Sequence, residues 1–170
     1  MKKTKKIEVA VRMRPLLQEF EDVEAWTVNE EQGRVSSIPK GQVGRGGIEE
    51  GLGRRKSKVE MNNIYEFSLD YVFKDIHSNW QVYSQCSSRV VQDFLAGNNA
   101  TIFMYGQTTT GKTYTMLGDQ RTEGLIIYSL RDIFTSKAPG THIDISYLEI
   151  YNEQINDLLK QGSVNLKIVD

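Results

Sequence analysis

The sequence predicts an α/β fold, because strand-like and helix-like segments alternate along its 170 residues. Three segments carry this prediction. Residues 5–11 alternate apolar and polar side chains, as in a strand with one buried face. Residues 80–96 place apolar side chains at helical spacing. Residues 100–105 form a short apolar run, typical of a central strand covered on both faces, and lead directly into a glycine-containing loop.

Composition excludes several classes of protein. The 21 Lys and Arg residues nearly balance the 22 Asp and Glu residues, so the chain is not a uniformly basic nucleic-acid binder. Cys86 is the single cysteine, which excludes a disulfide framework within the chain, and only two histidines accompany it, which disfavours a Cys/His zinc site. No run approaches the ~20 apolar residues of a membrane helix. The apolar run behind the basic N-terminus is interrupted by charges, so we expect no secretion signal and a cytoplasmic protein.

The N-terminal third predicts strands separated by a long loop. The first strand ends at Pro15, which cannot continue regular pairing, and residues 25–28 predict a second short strand. Residues 33–60 contain half of the chain's 14 glycines, seven Lys or Arg residues and no aromatic residue. Such a composition cannot bury a core, so we expect a flexible, glycine-rich and basic insertion there. The alternating run over 64–73 predicts that strands resume.

The helix over about 80–96 has recognisable end signals. Ser78 or Asn79 is suited to the N-cap, and Gly97 to the left-handed position that ends a helix. Cys86 falls on the apolar face, where a structural cysteine is far commoner than a reactive one. The remainder predicts, in order, a helix starting near Lys112, a helix over 125–135, a turn at 139–140, a strand over 142–151, a helix over 153–159 capped by Asn152, and a possible strand over 164–169.

The strongest chemical signal is the segment from Gly106 to Thr113, which matches the phosphate-binding pattern G-x-x-x-x-G-K-[ST]. Its two glycines lack a Cβ, so the backbone can wrap tightly and direct N–H groups toward an anion. Lys112 supplies a positive charge for phosphate oxygens, and the Thr113 hydroxyl is suited to ligate Mg²⁺. The alternative is a flexible Thr/Gly-rich loop without a ligand, which the preceding apolar run and the following helix disfavour.

The wider segment around this motif resembles the nucleotide-binding stretch of the kinesin motor family, and further segments follow in the order of that family. Residues 7–16 resemble its first strand with the R-x-R-P motif, and 71–73 its V-F entry to the next helix. Residues 146–159 resemble its S-[YF]-x-E-I-Y-N-E-x-[IV]-x-D-L-L block. Residues 124–127 resemble its G-[IL]-I-P segment, although Ile127 replaces the proline.

The resemblance implies a P-loop NTPase-type fold, with a central, mostly parallel or mixed sheet flanked by helices. It implies ATP and Mg²⁺ as cofactors, microtubules (tubulin) as the partner, and a cytoskeletal location. It implies no nucleic-acid partner, and the oligomeric state stays open. The implied phosphate-binding residues are Gly106, Gln107, Thr108, Thr109, Thr110, Gly111, Lys112 and Thr113, with Thr113 as metal ligand, and the implied adenine-side residues are Arg12, Arg14, Pro15 and Tyr114.

For the adenine-side residues, simpler interpretations stay open. Arg12 and Arg14 are also consistent with ordinary charges at a strand end. The Tyr114 ring can stack on a base, but it can equally pack in the core from the first turn of its helix.

Two later motifs of the family, N-x-x-S-S-R-S-H and D-L-A-G-x-E, do not occur in this sequence. In the family they handle the γ-phosphate and the metal, so the resemblance implies an apparently incomplete, N-terminal half of a motor domain spanning 1–170, with no catalytic residue of its own. The leading interpretation is an ATP-binding segment of a microtubule motor. The alternatives are a truncated nucleotide-binding fragment without turnover, acting as a binding or interaction module, and a different P-loop NTPase, which the additional motifs disfavour.

Overall fold

The computed structural model describes residues 7–16, 25–38 and 64–168, and the chain divides into two compact units, Met1–Ser136 and Lys137–Asp170. The insertion predicted over 33–60 falls mostly outside the described residues. At its start the prediction is wrong, because Arg34–Ser37 forms a strand, β3. This strand forms because it pairs with a neighbouring strand on each side, and such context outweighs the weak local propensity of a run such as Val35-Ser36-Ser37.

The first unit contains two small sheets. Strand β1 (Ala10–Arg12) pairs in parallel with β5 (Tyr71–Phe73). Strands β2 (Trp26–Asn29), β3 and β4 (Glu66–Ser68) form an antiparallel sheet in that order. The second short strand is thus confirmed within one residue, whereas the first strand is shorter than its alternating pattern predicts. In the described part of the chain these small sheets stand where one central sheet was expected.

A tight turn connects β2 to β3 and depends on Gly33. Val28 lies opposite Val35, whose side chain is buried. Gly33 has φ +62°, and a Cβ there would lie 2.7 Å from the carbonyl oxygen of Leu69. The Leu69 amide in turn donates to the Gly33 carbonyl at 2.8 Å. The turn therefore requires both a left-handed conformation and close backbone approach, which only glycine provides without strain.

The helix predicted over 80–96 is confirmed, with Ser78 as its N-cap. The Ser78 side chain accepts from the Gln81 amide and the Gln81 side chain accepts from the Ser78 amide, which completes a capping box. Helix α1 (Asn79–Val82) passes into a π-helical segment, Tyr83–Ser87, and then into α2 (Ser88–Leu95). Gly97 follows with φ +88°, as its predicted role at the helix end requires.

The core of the first unit lies where these helices meet β5 and helix α4 (Leu125–Ser136), which confirms the helix predicted over 125–135. Its buried members are Phe73, Val82, Tyr83, Val91 and Leu125. The Tyr83 hydroxyl donates to Asp132 Oδ2 at 2.5 Å. Burial and then this bond raise the pKa of Tyr83. The phenol is therefore held neutral, and its hydroxyl is hydrogen-bonded although Tyr83 is buried.

Cys86 packs against this core. Burial raises the pKa of the Cys86 thiol, which keeps the thiol protonated and therefore a poor nucleophile. This agrees with the structural role expected from its position on the apolar helix face.

The strand predicted over 100–105 is wrong for the structure described. These residues form neither a strand nor a helix. Ile102 and Met104 are half-buried, whereas Phe103 is 74% and Tyr105 is 96% exposed. The side chains thus alternate as in a strand, but a strand is defined and stabilised by hydrogen bonds to neighbouring strands. Within the described residues, no neighbour supplies those bonds.

The second unit contains a β-hairpin where a strand and a helix were predicted. Strand β6 (Leu148–Tyr151) pairs antiparallel with β7 (Gln154–Asp157), so the helix over 153–159 is wrong and the strand over 142–151 is too long. The physical reason lies in the turn, because Asn152 and Glu153 have φ of +48° and +61°. Positive φ at both central residues is the type I′ geometry that joins two strands.

Of the remaining expectations for the second unit, the turn is confirmed and the last strand is not. A turn closes at Gly140, with φ +79° and a 3.1 Å hydrogen bond from the Thr141 amide to the Ala138 carbonyl. The possible strand over 164–169 is not formed over 164–168, and residue 169 lies outside the described part. Among the helices of the described residues, none has both the length and the apolar character needed to cross a membrane.

Candidate phosphate-binding site

The segment from Gly106 to Thr113 forms an exposed loop that ends in helix α3 (Lys112–Met116), so the helix predicted near Lys112 is confirmed. Gly106 has φ +151°, and a Cβ there would lie 2.7 Å from Thr110 Oγ1. Gly111, at the N-cap of α3, has φ +90° and only open space around a Cβ position. Both glycines are therefore needed for the loop's path, as the motif predicts.

The loop is held by its own side chains and backbone. The Thr110 hydroxyl donates to the Gln107 carbonyl at 2.8 Å, and the Thr110 amide approaches the same carbonyl at 3.4 Å. Thr109 adopts φ +69°, and its hydroxyl donates to the Thr108 carbonyl at 2.6 Å. These bonds fold the loop back on itself ahead of α3.

Lys112 closes the loop. Its Nζ donates to the carbonyl oxygens of Gly106, at 2.8 Å, and Gln107, at 2.6 Å. The ammonium is thus held over the beginning of the loop, although Lys112 itself lies at the start of the helix. Because both acceptors belong to exposed residues, the ammonium can exchange them for the oxygens of a phosphate, a stronger charge-assisted partner.

The donor set of this loop fits an anion. Of the amides from residue 107 to 114, only that of Thr110 donates to a protein acceptor within the described residues. Lys112 adds a positive charge, and Thr113 is an exposed residue that carries a hydroxyl. In the described part of the chain, no group of three or more His, Cys, Asp or Glu side chains is placed to hold a metal ion. Thr113 is the residue of this loop whose hydroxyl could ligate Mg²⁺, and that assignment stays a prediction.

Arg12 reaches this site from the end of β1. Its Nη1 donates to Asn79 Oδ1 at 2.5 Å and to Thr115 Oγ1 at 2.9 Å, and its Nη2 donates to the His77 carbonyl at 2.7 Å. Its guanidinium carbon lies 5.4 Å from the centre of the Tyr114 ring, within cation–π range. Arg12 is therefore more than a solvated charge at a strand end, because it joins β1 to α1 and α3.

The environment of Arg12 has two opposing electrostatic effects. Partial burial lowers the pKa of the Arg12 guanidinium, and the neighbouring Tyr114 phenol opposes that shift. An arginine remains charged at physiological pH regardless of such shifts. The structure therefore places a permanent cation against one side of the Tyr114 ring.

Two of the four residues predicted for the adenine side, Arg12 and Tyr114, are brought together in this way. Tyr114 is 39% exposed, so its ring is not packed fully into the core. Arg14 and Pro15 lie just beyond β1, where Arg14 Nη1 donates to the Pro15 carbonyl at 2.9 Å. Their assignment to the adenine side stays a prediction.

Sequence reasoning missed two residues of this region, Asn79 and Thr115. The sequence indicates Asn79 only as a possible helix cap, yet Asn79 is fully buried, and Thr115 is 7% exposed. Asn79 Nδ2 donates to the carbonyls of Tyr114, at 2.9 Å, and Glu123, at 3.0 Å. No pattern in the sequence indicates these contacts, because they join segments 35 or more residues apart.

The segment between α3 and α4 is a tight turn. Gly118 and Glu123 form an isolated β-bridge, and Asp119 Oδ1 accepts from the amides of Arg121 and Thr122, both at 2.8 Å. A Cβ on Gly118, which has φ +85°, would lie 2.0 Å from the Thr122 carbonyl oxygen. The turn thus fixes how α4 follows α3.

Comparison with known proteins agrees with the motifs. Residues 12–170 match the kinesin motor domain family. Kinesin-like protein KIF16B of Homo sapiens is 33% identical over 92% of this chain and 12% of its own length. Kinesin heavy chain of Caenorhabditis elegans is 44% identical, over 62% of this chain and 14% of its own. Kinesin-like protein KIN-8A of Oryza sativa subsp. japonica is 42% identical, over 56% of this chain and 13% of its own length. The chain spans 11–14% of the length of the curated relatives it matches.

Proposed function

Since the chain belongs to the kinesin motor domain family, a family of microtubule motors, we propose that its loop from Gly106 to Thr113 binds the phosphates of ATP together with Mg²⁺. The observation that carries the proposal is the loop itself. It combines two required glycines, the Lys112 ammonium and amides of which, within the described residues, only that of Thr110 donates to a protein acceptor.

Each part of the loop has its own task in this proposal. The amides of residues 107–113 donate to phosphate oxygens, and Lys112 leaves its two carbonyl partners to neutralise part of the phosphate charge. The Thr113 hydroxyl ligates Mg²⁺. Bound Mg²⁺ would neutralise further phosphate charge.

The base side is proposed to lie at Tyr114, whose ring offers a π-face to adenine, with Arg12 behind the ring and Arg14 and Pro15 nearby. A flat ring stacks on any base, so this contact contributes affinity more than selectivity.

For the protein of which the chain represents a motor segment, we propose ATP hydrolysis coupled to movement along microtubules in the cytoplasm. The chain itself lacks the motifs N-x-x-S-S-R-S-H and D-L-A-G-x-E. Phosphoryl transfer depends on positioning the attacking water and neutralising charge at the γ-phosphate. We therefore assign no catalytic residue to the chain and expect it to bind nucleotide with poor turnover.

The second candidate function concerns the 170 residues taken by themselves. They carry the phosphate loop without the two motifs, and in this proposal they act as a nucleotide-binding fragment, a binding or interaction module without turnover. An ATPase assay with and without microtubules separates the candidates. Turnover by the 170-residue chain that microtubules stimulate would contradict the expectation of poor turnover and exclude the second candidate.

Nucleotide binding is tested with a fluorescent ATP analogue and Mg²⁺. Replacing Lys112 by alanine removes one ionic hydrogen-bond donor, and we expect affinity to fall by about 10- to 100-fold. Lys137→Ala is the matched control, since Lys137 lies outside the loop and its Nζ donates to the Thr141 carbonyl. Unchanged affinity in the Lys112 variant, with far-UV circular dichroism showing that it is folded, would contradict the proposed phosphate site.

A further inference from the structure

Asn79 joins three separate segments through one buried side chain. Its Oδ1 accepts from Arg12 at the end of β1, and its Nδ2 donates to the carbonyls of Tyr114 in α3 and Glu123 in the turn before α4. The side chain is 0% exposed, and all three bonds are 3.0 Å or shorter. A buried amide that satisfies both of its ends in this way holds its partners in fixed relative positions.

Arg12 extends this arrangement to the Tyr114 ring. Asn79, Thr115 and the His77 carbonyl accept three of its hydrogen bonds and fix the plane of the guanidinium. The guanidinium carbon lies over the Tyr114 ring, 5.4 Å from its centre. The backbone of Tyr114 is held by Asn79, and its ring by Arg12, while 39% of the residue stays exposed.

We infer that Asn79 is a positioning residue for the nucleotide base, acting through Arg12 and Tyr114 to hold the ring of the partly exposed Tyr114 in place for a stacking purine. The inference rests on the proposed function, because it assumes that a nucleotide binds at the adjoining loop. A ring held in its binding orientation loses less side-chain entropy when a base stacks on it, which increases affinity. The hydrogen bonds of Asn79 go to Arg12, Tyr114 and Glu123 and not to the loop over 106–113, so its effect falls on the base and not on the phosphates.

Two ligands separate these effects, namely Mg²⁺–ATP and Mg²⁺–tripolyphosphate, which has the phosphates without the base. Their affinities are measured for the unmodified chain, Asn79→Ala, Tyr114→Ala and the double variant. Tyr114→Ala is expected to weaken ATP binding by about 5- to 150-fold, the range for one stacked base. Asn79→Ala is expected to weaken ATP binding by a large part of that factor and to leave tripolyphosphate within about twofold. The double variant is expected to bind ATP no more weakly than Tyr114→Ala, because both substitutions remove one coupled contact.

Several results would overturn the inference. Equal weakening of the two ligands by Asn79→Ala would overturn it, and so would an effect of Asn79→Ala that adds to that of Tyr114→Ala. Thr115→Val is a second, nearly isosteric variant, which removes one acceptor of Arg12 and is expected to shift the ratio of the two affinities in the same direction. If Asn79→Ala does not fold by circular dichroism, an unchanged ratio in Thr115→Val overturns the inference.

The unmodified chain distinguishes this inference from the proposed function. If it binds tripolyphosphate as tightly as ATP, the base contributes nothing, and the inference fails while the phosphate site stands. If it binds neither ligand, the proposed function fails and the inference fails with it.

Discussion

The two sides of the phosphate loop are held in different ways. On the side of α3, Thr115 is 7% exposed and accepts a hydrogen bond from Arg12, and the Tyr114 carbonyl accepts one from the buried Asn79. On the side of residues 100–105, Phe103 and Tyr105 are 74% and 96% exposed. Side chains anchor the helix side, whereas the strand side would need neighbouring strands that the described residues do not provide.

This difference teaches which contacts determine the geometry of the loop. The helix side depends on hydrogen bonds and core packing made within the first unit, so its position can be set by this chain alone. The strand side has an alternating pattern of half-buried and exposed residues, but the described part of the chain gives it no hydrogen-bond ladder of the kind that turns such a pattern into a stable strand. Substitutions on the two sides should therefore have unequal effects.

The largest expected effect comes from a matched pair of phenylalanines. Phe73 is 1% exposed in the core, and its replacement by alanine should lower the free energy of unfolding by about 3–5 kcal/mol through lost burial and the cavity left behind. Phe103→Ala, on the exposed segment, should change it by no more than about 0.5 kcal/mol. Urea unfolding followed by circular dichroism measures both. Equal losses in the two variants would remove the contrast between the sides.

A pair of glycines tests how firmly the helix side of the loop is held, and the expected change in stability is smaller. Gly118, after α3, and Gly97, after α2, have φ of +85° and +88°, so an alanine at either position meets the same backbone strain. At Gly118 the added Cβ would also lie 2.0 Å from the Thr122 carbonyl oxygen, whereas at Gly97 it meets nothing within 4 Å. Gly118→Ala should therefore be less stable than Gly97→Ala by about 1–3 kcal/mol. Thermal and urea unfolding of the two variants measures the difference. Equal stability would show that the turn after α3 can adjust to the added Cβ without cost.

A pH series tests the hydrogen bond between Tyr83 and Asp132 on the anchored side. The fold raises the pKa of Tyr83 above its ordinary value of about 10. The stabilising contribution of Tyr83 is therefore complete below about pH 10. It is lost as the pH rises further, because the unfolded chain releases the phenol proton before the folded protein does. Tyr83→Phe should cost about 1 kcal/mol at neutral pH and should flatten the loss of stability above about pH 10. Some loss will remain, since the pKa of Tyr71 is raised as well. An unchanged alkaline slope in the Phe variant would contradict the assignment.

The smallest effect is expected at the exposed pair between Glu123 and Arg131. The two nitrogens of Arg131 lie 2.7 and 3.0 Å from the Glu123 carboxylate oxygens, and these bonds lower the pKa of Glu123. Glu123→Gln should lower the melting temperature only slightly, and high salt should reduce the difference further because solvent ions screen exposed charges. A large loss that persists in high salt would show that this pair anchors α4 more strongly than its exposure indicates.

The elements that were predicted correctly are those with local signals. The helix after Ser78 carries a capping box and an apolar face, and the helix after Gly111 begins at a motif with fixed spacing. The strand at 100–105 was not formed because strands depend on partners distant in sequence. The hairpin that turns after Tyr151 was predicted wrongly, because the sequence Asn152-Glu153 also suits the start of a helix. Only the structure shows that both residues have positive φ.

The residues of the candidate site likewise fall into those with a local sequence signal and those placed by contacts between distant segments. Its glycines and Lys112 follow from the spacing of the motif, and the structure gives them the conformations that the motif requires. The role of Arg12 was foreseen only through resemblance, and Asn79 was not foreseen as part of the site at all. Both depend on contacts between segments that are far apart in the chain, and periodicity carries no information about such contacts.

The π-helical segment determines which changes of chain length the first unit can absorb. Tyr83 and Val91 are both buried, yet eight residues of regular α-helix would place them about 80° apart around the axis. The wider π turn accommodates one residue more, which brings the two side chains to within about 20° of the same direction. Deleting one exposed residue, Ser84 or Gln85, would convert the turn to regular helix and keep both side chains in the core. Inserting one would rotate Val91 by about 100°, so this stretch of the chain tolerates shortening far better than lengthening.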